Sequence, residues 1–585
     1  MTNAEIGRTL EQLADLSEID GDNHFKVRAY RNAAGLLRGL DRQVADLLED
    51  GFDLTSLKGI GKEIAEKVGV MVRTGSLPQL TDLARRIPLG LLDVIKIKGV
   101  GAKQAATLWR TLGVGDVAAL EAALADGRVA TLPGFGDKTA QRLAKAIAAY
   151  HRNSGRMPLG SVDAVIQPLL ARLAAVPGVG RLEVAGSYRR RRDSVGDVDL
   201  VASAGDPALL AVALTGYDEV SDVLGSGATK TSVVLHNGLQ IDLRVIDPDS
   251  FGAALLYFTG SKDHNVALRQ RSLERGWHLN EYGLFDGGEP GKDRLGGTRV
   301  AGADEAEIYA RLDLDYIAPV LREDRGEVAA AAAHNLPVLV TLADMRGDLH
   351  LHTTWSDGKN SVVEMVDACA ARGYEYMAIT DHSGSLALQQ GLDEEKLARQ
   401  HAELDEVLAN RQDITVLRGM EVDILKDGTL DLSDEWLERL DIVLVSVHSF
   451  FDLSQAEQTA RVVAAVSHPQ VNVLAHPTGR LIARRDPIDL DLEAVFEACL
   501  ANGVSVEHNA ASKRLDLSDV HLMTAVRHGL DVVINTDAHS TGGLGSMALG
   551  MDQAGRAWLR PADVVNTLPL AALKSRLAKV TARAT

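Results

Sequence analysis

Three aspartates near the middle of the chain have the type and spacing needed to bind divalent cations. Asp197 and Asp199 are separated by one residue in a β-like segment, so both side chains point to one face of a strand. Asn237-Gly238 predicts a hairpin, and Asp242 on its second arm is out of phase with its apolar neighbours. Two Mg²⁺ ions on such carboxylates can hold the attacking and leaving oxygens of a phosphoryl transfer. The alternative is that Asp197 and Asp199 are an ordinary turn pair.

A turn upstream of this trio could hold the phosphate. Gly186-Ser187 can present a backbone N–H and a hydroxyl, and Arg190 adds a cationic donor. Together with the carboxylates, the turn predicts an enzyme that acts on phosphate esters.

A second set of ligands follows the strand-like segments of the C-terminal part, which holds 11 of the 17 histidines. Nine nitrogen and oxygen ligands without a thiolate suit two or three Mn²⁺ or Zn²⁺ ions, and the ligand types do not separate these metals. Glu421, placed centrally, could bridge two of them. The nine residues are His350, His352, Asp357, His382, Glu421, His448, His476, Asp537 and His539. The remaining five histidines of this part are interpreted as structural: His401, His468, His508, His521 and His528.

A Gly-x-Gly pattern followed by a helix-like stretch occurs three times before residue 160. Two glycines allow a tight turn and a close approach to a phosphate, and the following helix directs its N-terminal N–H groups at the phosphate. Such repeats predict sequence-independent binding to a nucleic-acid backbone. The alternative is three helix-turn-helix connections without a ligand. The glycines are Gly59, Gly61, Gly99, Gly101, Gly134 and Gly136.

The elements that position these residues change along the chain. Residues 1–160 are predicted to form short helices, and β-like segments begin at about residue 161. After residue 346, strands alternate with helices, which predicts a parallel sheet closed as a barrel. The candidate ligands follow these strands, where barrels of this type have their active face.

Composition limits the class of protein. A length of 585 residues predicts several domains, and no apolar run approaches the ~20 residues that span a bilayer. Two cysteines, Cys369 and Cys499, and no signal-like N-terminus predict a reducing cytoplasm. The net charge of −19 opposes nucleic-acid binding on average, but residues 83–160 hold 12 Lys/Arg against 5 Asp/Glu. Local charge decides binding, so a nucleic-acid partner stays open.

Three motifs resemble those of family X DNA polymerases of the DNA polymerase beta type: Gly186-Ser187-Tyr188-Arg189-Arg190, Gly196-Asp197-Val198-Asp199 and Tyr257-Phe258-Thr259-Gly260-Ser261. The resemblance implies that Asp197 and Asp199 ligate two metals, and that Asp242 helps to take the proton from the primer 3′-hydroxyl. Ser187 and Arg190 would hold the triphosphate. Tyr257 and Phe258 would lie under the incoming sugar, and Asn265 would reach the minor-groove edge of its base.

The resemblance is not complete. Gln240 stands where mammalian members carry Arg, and Lys262 replaces an Asp near the incoming base. Lys67 matches the Schiff-base lysine of a deoxyribose-phosphate lyase site and Lys26 matches a supporting lysine, whereas Glu63 replaces a second one. The alternative for Lys67 is a solvated helix lysine. The Gly-x-Gly strings resemble helix-hairpin-helix motifs.

The C-terminal ligand set resembles that of the polymerase and histidinol phosphatase (PHP) family. The resemblance implies a distorted (β/α)7 barrel with three ions: one on His350, His352, Glu421 and Asp537, one on Asp357, His382 and His539, and one on Glu421, His448 and His476. It also gives Arg514 a contact with phosphate. A family X core joined to this domain is the bacterial arrangement.

The expected fold class is multidomain: α-helical helix-hairpin-helix domains, an α+β nucleotidyltransferase palm and a PHP barrel. The expected domains are 1–82 (lyase-like), 83–160 (fingers-like), 161–250 (palm), 251–320 (nucleotide-binding, thumb-like), 321–345 (linker) and 346–575 (PHP).

The expected function is a DNA repair polymerase that adds dNTPs to primer ends in gapped DNA, with a 3′→5′ exonuclease in the PHP domain. Mg²⁺ or Mn²⁺ is expected in the palm. A monomer without a membrane partner, associated with the nucleoid through DNA, is expected. One alternative is a DNA-end nuclease or phosphoesterase, including abasic-site or 3′-phosphate processing, whose polymerase core is mainly a DNA-binding platform. The others are a small-molecule phosphatase and a non-enzymatic DNA-end scaffold.

Overall fold

The structure is a computed structural model. It describes residues 1, 3–38, 42, 44–57, 59–97, 99–153, 155–227, 229–287, 297–385, 391–409 and 411–578, so Lys58 and Lys98 of the Gly-x-Gly strings lie outside the described residues. The chain forms two compact units, Met1–Ser154 and Gly155–Thr585, which are described separately. Among the described helices, none has both the length and the apolarity to cross a membrane.

The first unit consists of helices around one apolar core that includes Leu13, Val68, Leu108 and Leu143. The helices recur at short intervals, and their buried apolar residues face this core. They are α1 (Asn3–Asp20), α2 (His24–Arg38), α3 (Val44–Glu49), α4 (Lys62–Thr74), α5 (Pro78–Arg86), α6 (Leu91–Val94), α7 (Ala102–Leu112), α8 (Val117–Ala125) and α9 (Gly136–Asn153).

The three Gly-x-Gly strings occupy turns that lead into helices, as predicted. Gly59, Gly99 and Gly134 have φ values of 106°, 89° and 86°, which glycine adopts without strain. Gly61 and Gly101 are the N-terminal caps of α4 and α7, and Gly136 begins α9. A Cβ atom at Gly61 would meet nothing within 4 Å, so the start of α4 is open to a ligand.

The second unit begins with a five-stranded palm sheet of order β2-β4-β7-β6-β5. The central strands β4 and β7 run parallel, while β6 and β7 form the predicted hairpin around Gly238. The elements are β1 (Met157–Pro158), α10 (Leu159–Ala174), β2 (Val179–Val184), α11 (Gly186–Arg189), β3 (Ser194–Val195), β4 (Asp197–Ala204), α12 (Pro207–Thr215), β5 (Val220–Ser226), β6 (Lys230–Leu235) and β7 (Gln240–Val245).

A smaller region follows, with a three-stranded antiparallel sheet of order β10-β9-β8. It contains α13 (Phe251–Thr259), α14 (Lys262–Glu274), β8 (Trp277–Asn280), β9 (Gly283–Asp286), β10 (Thr298–Ala301), α15 (Glu305–Arg311) and α16 (Glu327–Ala332). Residues 321–345, expected to be a linker, include α16 and the buried side chains of Arg322 and Glu327. They are therefore packed structure rather than an extended connection, and the predicted division into domains stays a prediction.

The C-terminal part is a seven-stranded parallel sheet whose strands follow one another in chain order. The first and last strands meet through a bridge between Leu351 and Ala538, which brings the sheet close to a closed barrel. The elements are β11 (Gly347–Leu351), α17 (Val362–Ala370), β12 (Tyr376–Ile379), α18 (Glu394–Leu408), β13 (Thr415–Asp423), α19 (Asp434–Leu437), β14 (Ile442–Ser446), α20 (Gln455–Val466), β15 (Val473–Leu474), α21 (Leu492–Asn502), β16 (Ser505–Asn509), α22 (Asp519–Arg527), β17 (Val532–Asn535), α23 (Met547–Arg556) and α24 (Leu570–Leu577).

The barrel strands are apolar on both faces because the interior and the outer helices both cover them. Every residue of β11, β12, β14 and β17 is buried. The three expected parts, a helical N-terminal region, an α+β palm and a (β/α)7 barrel, are all present, and the predicted fold class is confirmed.

Candidate active sites

The carboxylates of the palm lie at the start of two adjacent parallel strands. Asp199 on β4 is paired in register with Asp242 on β7, and Asp197 precedes Asp199 by two residues on the same strand. The three predicted ligands therefore share one face of the sheet. Among the described residues, ligand groups with all atoms within 4.8 Å of one another occur in the barrel and not in the palm.

The charges of the trio interact. Burial and, to a smaller extent, the charges of Asp197 and Asp242 together raise the pKa of Asp199 from 3.8 to about 6. Burial also acts to raise the pKa of Asp242, but hydrogen bonds with Ser232, Lys230 and Gln240 lower it below its ordinary value. A divalent cation would relieve the repulsion at Asp199, so the carboxylates present fit such an ion.

Lys230 is a residue of this site that the sequence interpretation missed. Its Nζ lies 3.0 Å from Asp242 Oδ2, and Gln240 Nε2 donates to Asp242 Oδ1 at 3.1 Å. Lys230 reaches Asp242 across the β6–β7 hairpin, where it is paired with Arg244. The hairpin predicted at Asn237-Gly238 implies that β6 and β7 are paired. The contact between Lys230 and Asp242 depends in addition on the length of the lysine side chain.

The predicted phosphate turn forms the start of α11 beside the carboxylates. Gly186 has a φ of 63°, and a Cβ atom there would lie 2.6 Å from Asp199 Oδ2, so glycine is required. Arg190 is buried: its Nη1 donates to the Thr259 carbonyl oxygen at 2.5 Å and its Nε donates to Glu323 Oε1 at 3.0 Å. These contacts hold the guanidinium between Glu323 and the C-terminal end of α13. The contact of Arg190 with a triphosphate stays a prediction, as do those of Ser187 and Gly196.

The expected nucleotide-binding end is helix α13 and the start of α14. The Arg244 guanidinium lies 4.3 Å from the centre of the Phe258 ring, which holds that ring against the palm. Tyr257 is partly exposed, and Asn265 Nδ2 donates to its carbonyl oxygen at 2.7 Å. Tyr257 and Asn265 line one small cavity, whereas Gly260 forms the cap of α13. Their roles toward a nucleotide remain predictions.

We expect the palm to lose affinity for Mg²⁺ below about pH 6. Only the ionised carboxylate binds the ion, and the pKa of Asp199 is raised to about 6. One competing proton lowers the affinity roughly tenfold per pH unit. In the ion-free protein, folding stability depends on pH in the opposite direction from metal affinity. Because the folded state binds the proton of Asp199 more tightly than the unfolded state does, stability falls as pH rises from about 4 to 6. Mg²⁺ titrations from pH 5 to 8, with Asp199→Asn as control, test this, and a wild-type palm affinity that does not change contradicts it.

In the barrel, all nine predicted ligands converge on the buried carboxylate of Glu421. Its Oε1 lies 2.8 Å from His476 Nε2 and 3.4 Å from His448 Nε2. Its Oε2 lies 2.8 Å from His382 Nδ1 and 3.3 Å from His350 Nε2. The other four ligands form two pairs beside these: Asp537 Oδ1 is 3.2 Å from His352 Nε2, and Asp357 Oδ1 is 3.2 Å from His539 Nε2.

Three groups in this cluster have the geometry of metal sites. They are His352-Asp357-His382-His539, His350-His352-Asp537 and His382-Glu421-His448. His352 and His382 each belong to two groups, whereas the resemblance assigned each of them to one ion. His476 contacts Glu421 outside these groups.

The donor atoms fit cations because many have no other partner. Buried atoms without a hydrogen bond include His350 Nε2, both ring nitrogens of His352, His382 Nδ1, Glu421 Oε2 and Asp357 Oδ1. Leaving so many buried polar atoms unsatisfied is costly unless cations bind them. Burial and the charges of His539 and His382 lower the pKa of His352 to about 3, so this imidazole is a neutral donor.

A layer of supporting residues orients the ligands, and the sequence interpretation missed it. Glu507 Oε1 lies 2.7 Å from His350 Nδ1, and its Oε2 accepts from the His476 backbone N–H at 2.7 Å. Asp423 Oδ1 accepts from the His448 backbone N–H at 3.0 Å. Such partners fix ring orientation and ligand basicity. Glu507 on β16 and Asp423 at the end of β13 follow the same strand-end pattern as the ligands, which was the available signal.

Arg514 lies beside this cluster with Nε 3.4 Å from Asp537 Oδ2. Its Nε and Nη1 atoms are buried without a hydrogen-bond partner. A buried guanidinium with free donors at a metal cluster is suited to an anion. Its predicted contact with phosphate remains a prediction.

The two candidate lyase lysines meet at one tyrosine in the first unit. Nζ of Lys26 and Nζ of Lys67 lie 6.0 and 5.9 Å from the centre of the Tyr30 ring. Lys67 pairs with Glu63 at 2.8 Å, and its side chain is 17% exposed, so it is not a freely solvated lysine. Lys26 pairs with Asp22 at 3.0 Å. A lyase role for either residue remains a prediction.

Fold and sites together define a class of protein: a two-site phosphoryl-transfer enzyme with helical units suited to a nucleic-acid backbone. Four family models match the chain: a helix-hairpin-helix domain over residues 1–77, a SAM-like helix-hairpin-helix tandem over 91–149, the DNA polymerase beta thumb over 254–323 and the PHP domain over 348–501.

Individual proteins match as well. The chain is 36% identical over 572 residues to the DNA polymerase/3'-5' exonuclease PolX of Bacillus subtilis (strain 168), which covers 97% of this chain and 98% of the relative. It is 27% identical over 346 residues to DNA polymerase lambda of Rattus norvegicus, covering 55% of this chain and 56% of the relative. It is also 27% identical over 233 residues to a probable phosphatase of Syntrophotalea carbinolica, covering 37% of this chain and 90% of the relative.

The chain belongs to the family X DNA polymerases that carry a PHP domain. The family suggested by the sequence motifs is confirmed.

Proposed function

We propose that the chain is a DNA repair polymerase that adds dNTPs to primer 3′ ends in gapped DNA and degrades 3′ ends in its barrel. The observation that carries the polymerase is the register pairing of Asp199 with Asp242 beside the Gly186 turn. Two separate ligand sets of different chemistry support two activities on one chain. The family membership supports the same pair of activities.

In the palm, the side chains position two substrates and accept a proton. Asp197, Asp199 and Asp242 would hold Mg²⁺, because all-oxygen ligands favour that ion, and the ions supply charge stabilisation during phosphoryl transfer. Asp242, held by Lys230 and Gln240, is placed to take the proton of the primer 3′-hydroxyl. The N-terminus of the Gly186 turn and Arg190 orient the triphosphate.

In the barrel, the imidazoles and carboxylates would hold two to three Mn²⁺ or Zn²⁺ ions, which suit nitrogen and oxygen ligands and activate water for hydrolysis. Glu421 would contact more than one ion. Arg514 would orient the scissile phosphate through its free Nε and Nη1. His539 and Asp357 have side chains about one-third exposed, which gives a DNA end access to the cluster from that side.

The substrates are gapped or primed DNA and dNTPs. Each ligand set is complete within one chain, which supports action as a monomer. The open helix starts after the Gly-x-Gly turns support contact with the DNA backbone and hence association with the nucleoid.

DNA binding is expected to depend steeply on salt and little on sequence. Backbone N–H groups and lysines at the three turns contact phosphates, which carry no sequence information. Log affinity should fall linearly with log salt concentration, with similar slopes for unrelated gapped duplexes, as measured by fluorescence anisotropy. A flat salt response or a strongly preferred sequence contradicts this expectation.

A second candidate activity for the barrel is removal of a terminal phosphate. The similarity of the barrel to a protein named as a probable phosphatase favours it. Primed, gapped DNA with a 3′-hydroxyl or a 3′-phosphate, tested with and without dNTPs, separates the activities by product length. Release of inorganic phosphate without shortening of the strand identifies a phosphatase. If the primer is not extended with any of the metals tested, the proposed polymerase function is rejected.

A further inference from the structure

Helix α23 of the barrel contacts the backbone of the loop that follows the phosphate turn of the palm. Arg556 Nη1 donates to the carbonyl oxygen of Arg190 at 2.7 Å, and Gln553 Nε2 donates to the carbonyl oxygen of Arg191 at 2.7 Å. The Arg191 guanidinium donates from Nε to Asp552 Oδ2 at 2.8 Å. Side chains from about one turn of α23 therefore fix two consecutive peptide groups of the loop.

Arg556 also contacts the carboxylate that faces Arg190. Glu323 Oε1 accepts from Arg190 Nε at 3.0 Å and from Arg556 Nη1 at 2.9 Å. The second terminal nitrogen of the Arg556 guanidinium, Nη2, donates to Asp519 Oδ2 at 2.7 Å. Arg325 Nη2 donates to the same oxygen at 3.0 Å. Arg556 thus links a palm arginine, a carboxylate of the following region and a barrel helix.

The charge balance of this cluster depends on Arg556. Arg190, Arg192, Arg325 and Arg556 carry four positive charges, since Arg192 Nη1 also lies 3.9 Å from Glu323 Oε2, whereas Glu323 and Asp519 carry two negative charges. Two positive charges are therefore in excess beside the turn. Arg556 is 2% exposed, so water screens its charge poorly. Without Arg556 the excess would fall to one positive charge, which weakens the attraction for a polyanion.

We propose that Arg556 and Gln553 of the barrel are positioning residues for the nucleotide triphosphate in the palm. The proposal rests on the proposed polymerase function, in which the turn at Gly186 and Arg190 hold the triphosphate. Arg556 shares Glu323 with Arg190 and holds the Arg190 carbonyl, so the Arg190 guanidinium keeps its position between Glu323 and the Thr259 carbonyl. The barrel then has a role in polymerisation that is separate from its own ligand set.

Steady-state incorporation of a single dNTP tests this in the full-length protein. We compare the wild type with Arg556→Met, Arg556→Lys, Gln553→Met and Arg560→Met. The Arg560 variant is the matched control, because Arg560 lies four residues beyond Arg556 but is 60% exposed and pairs with Asp563. Melting curves and degradation of 3′ ends report whether each variant keeps a folded barrel.

The expected result is a change in KM rather than in kcat. KM for dNTP should rise roughly tenfold in Arg556→Met, because charged hydrogen bonds are lost, and less in Gln553→Met, which loses one neutral bond. Arg556→Lys should recover part of the loss, since it keeps the charge but not the forked geometry. Arg560→Met should match the wild type, and 3′-end degradation should be unchanged in every variant.

Several results overturn the proposal. One is a wild-type KM in folded Arg556→Met; if that variant does not fold, a wild-type KM in Gln553→Met decides the matter in the same way. Another is an equal change in Arg560→Met, and a third is a parallel loss of kcat and of 3′-end degradation, which identifies general damage to the fold. A wild-type protein that adds no nucleotide at all rejects the polymerase function instead.

Discussion

Replacement of Asp199 by alanine is expected to reduce nucleotide addition roughly a thousandfold or more, because it removes a carboxylate that would hold both ions of the palm. Asp199 is paired with Asp242 and follows Asp197 on the same strand, so it lies between the other two carboxylates of the trio. The measurement is single-turnover extension of a primer in gapped DNA. Extension at the wild-type rate would show that the trio is not the polymerase site.

The controls for this variant are matched to its chemistry. Asp222→Ala removes an exposed aspartate from the edge strand β5 of the same sheet and should leave extension unchanged. Degradation of 3′ ends should continue in Asp199→Ala, because the barrel ligands are separate. The substitution also removes the partly buried carboxyl whose pKa is raised to about 6, so the ion-free protein should not lose stability at neutral pH.

The double change His350→Ala, His352→Ala is expected to abolish 3′→5′ degradation and leave nucleotide addition largely intact. Both side chains are fully buried, and each lies within 3.6 Å of Glu421. Removing them takes two imidazole ligands from the cluster, so ions should be lost from the barrel. The measurements are the degradation of single-stranded and gapped DNA and the metal content of the purified protein.

His468→Ala is the control for this pair. His468 is a barrel histidine outside the ligand cluster that pairs with Asp434 at 3.3 Å, so its replacement should change neither metal content nor degradation. Degradation at the wild-type rate in the double variant would place the nuclease elsewhere. Loss of extension together with degradation would show that the two sites are not independent.

The sequence predicted much of this molecule because its signals are local. The phase of Asp242 between Ile241 and Leu243 placed it on the face opposite to the core, and the structure pairs it with Asp199. The nine barrel ligands follow apolar strand segments, and the carboxyl ends of parallel strands meet at one rim. The paired glycines specified turns at Gly59, Gly99 and Gly134 through their positive φ values.

Other features could not be read from local pattern because they depend on distant parts of the chain. Glu507 orients His350 across 157 residues, and Arg556 reaches the Arg190 carbonyl across 366 residues. The alanine run at residues 329–333 suggested a domain boundary, and residues 321–345 were predicted to be a linker, yet Arg322 and Glu327 are buried by partners elsewhere. In the sequence, Arg190 belongs to a basic cluster at residues 189–192. Only the structure shows that Glu323 balances its charge.

The sequence alone was enough to predict the family, two sets of candidate ligands and the order of the folds, because strand phase, turn chemistry and ligand type are set by residues close together in the chain. Only the tertiary structure shows which ligands lie in the same candidate metal group and which residues support them. It also shows how helix α23 contacts the loop that follows the Gly186 turn. Those contacts arise when elements far apart in sequence pack together, and packing geometry is not encoded in the spacing of any one segment.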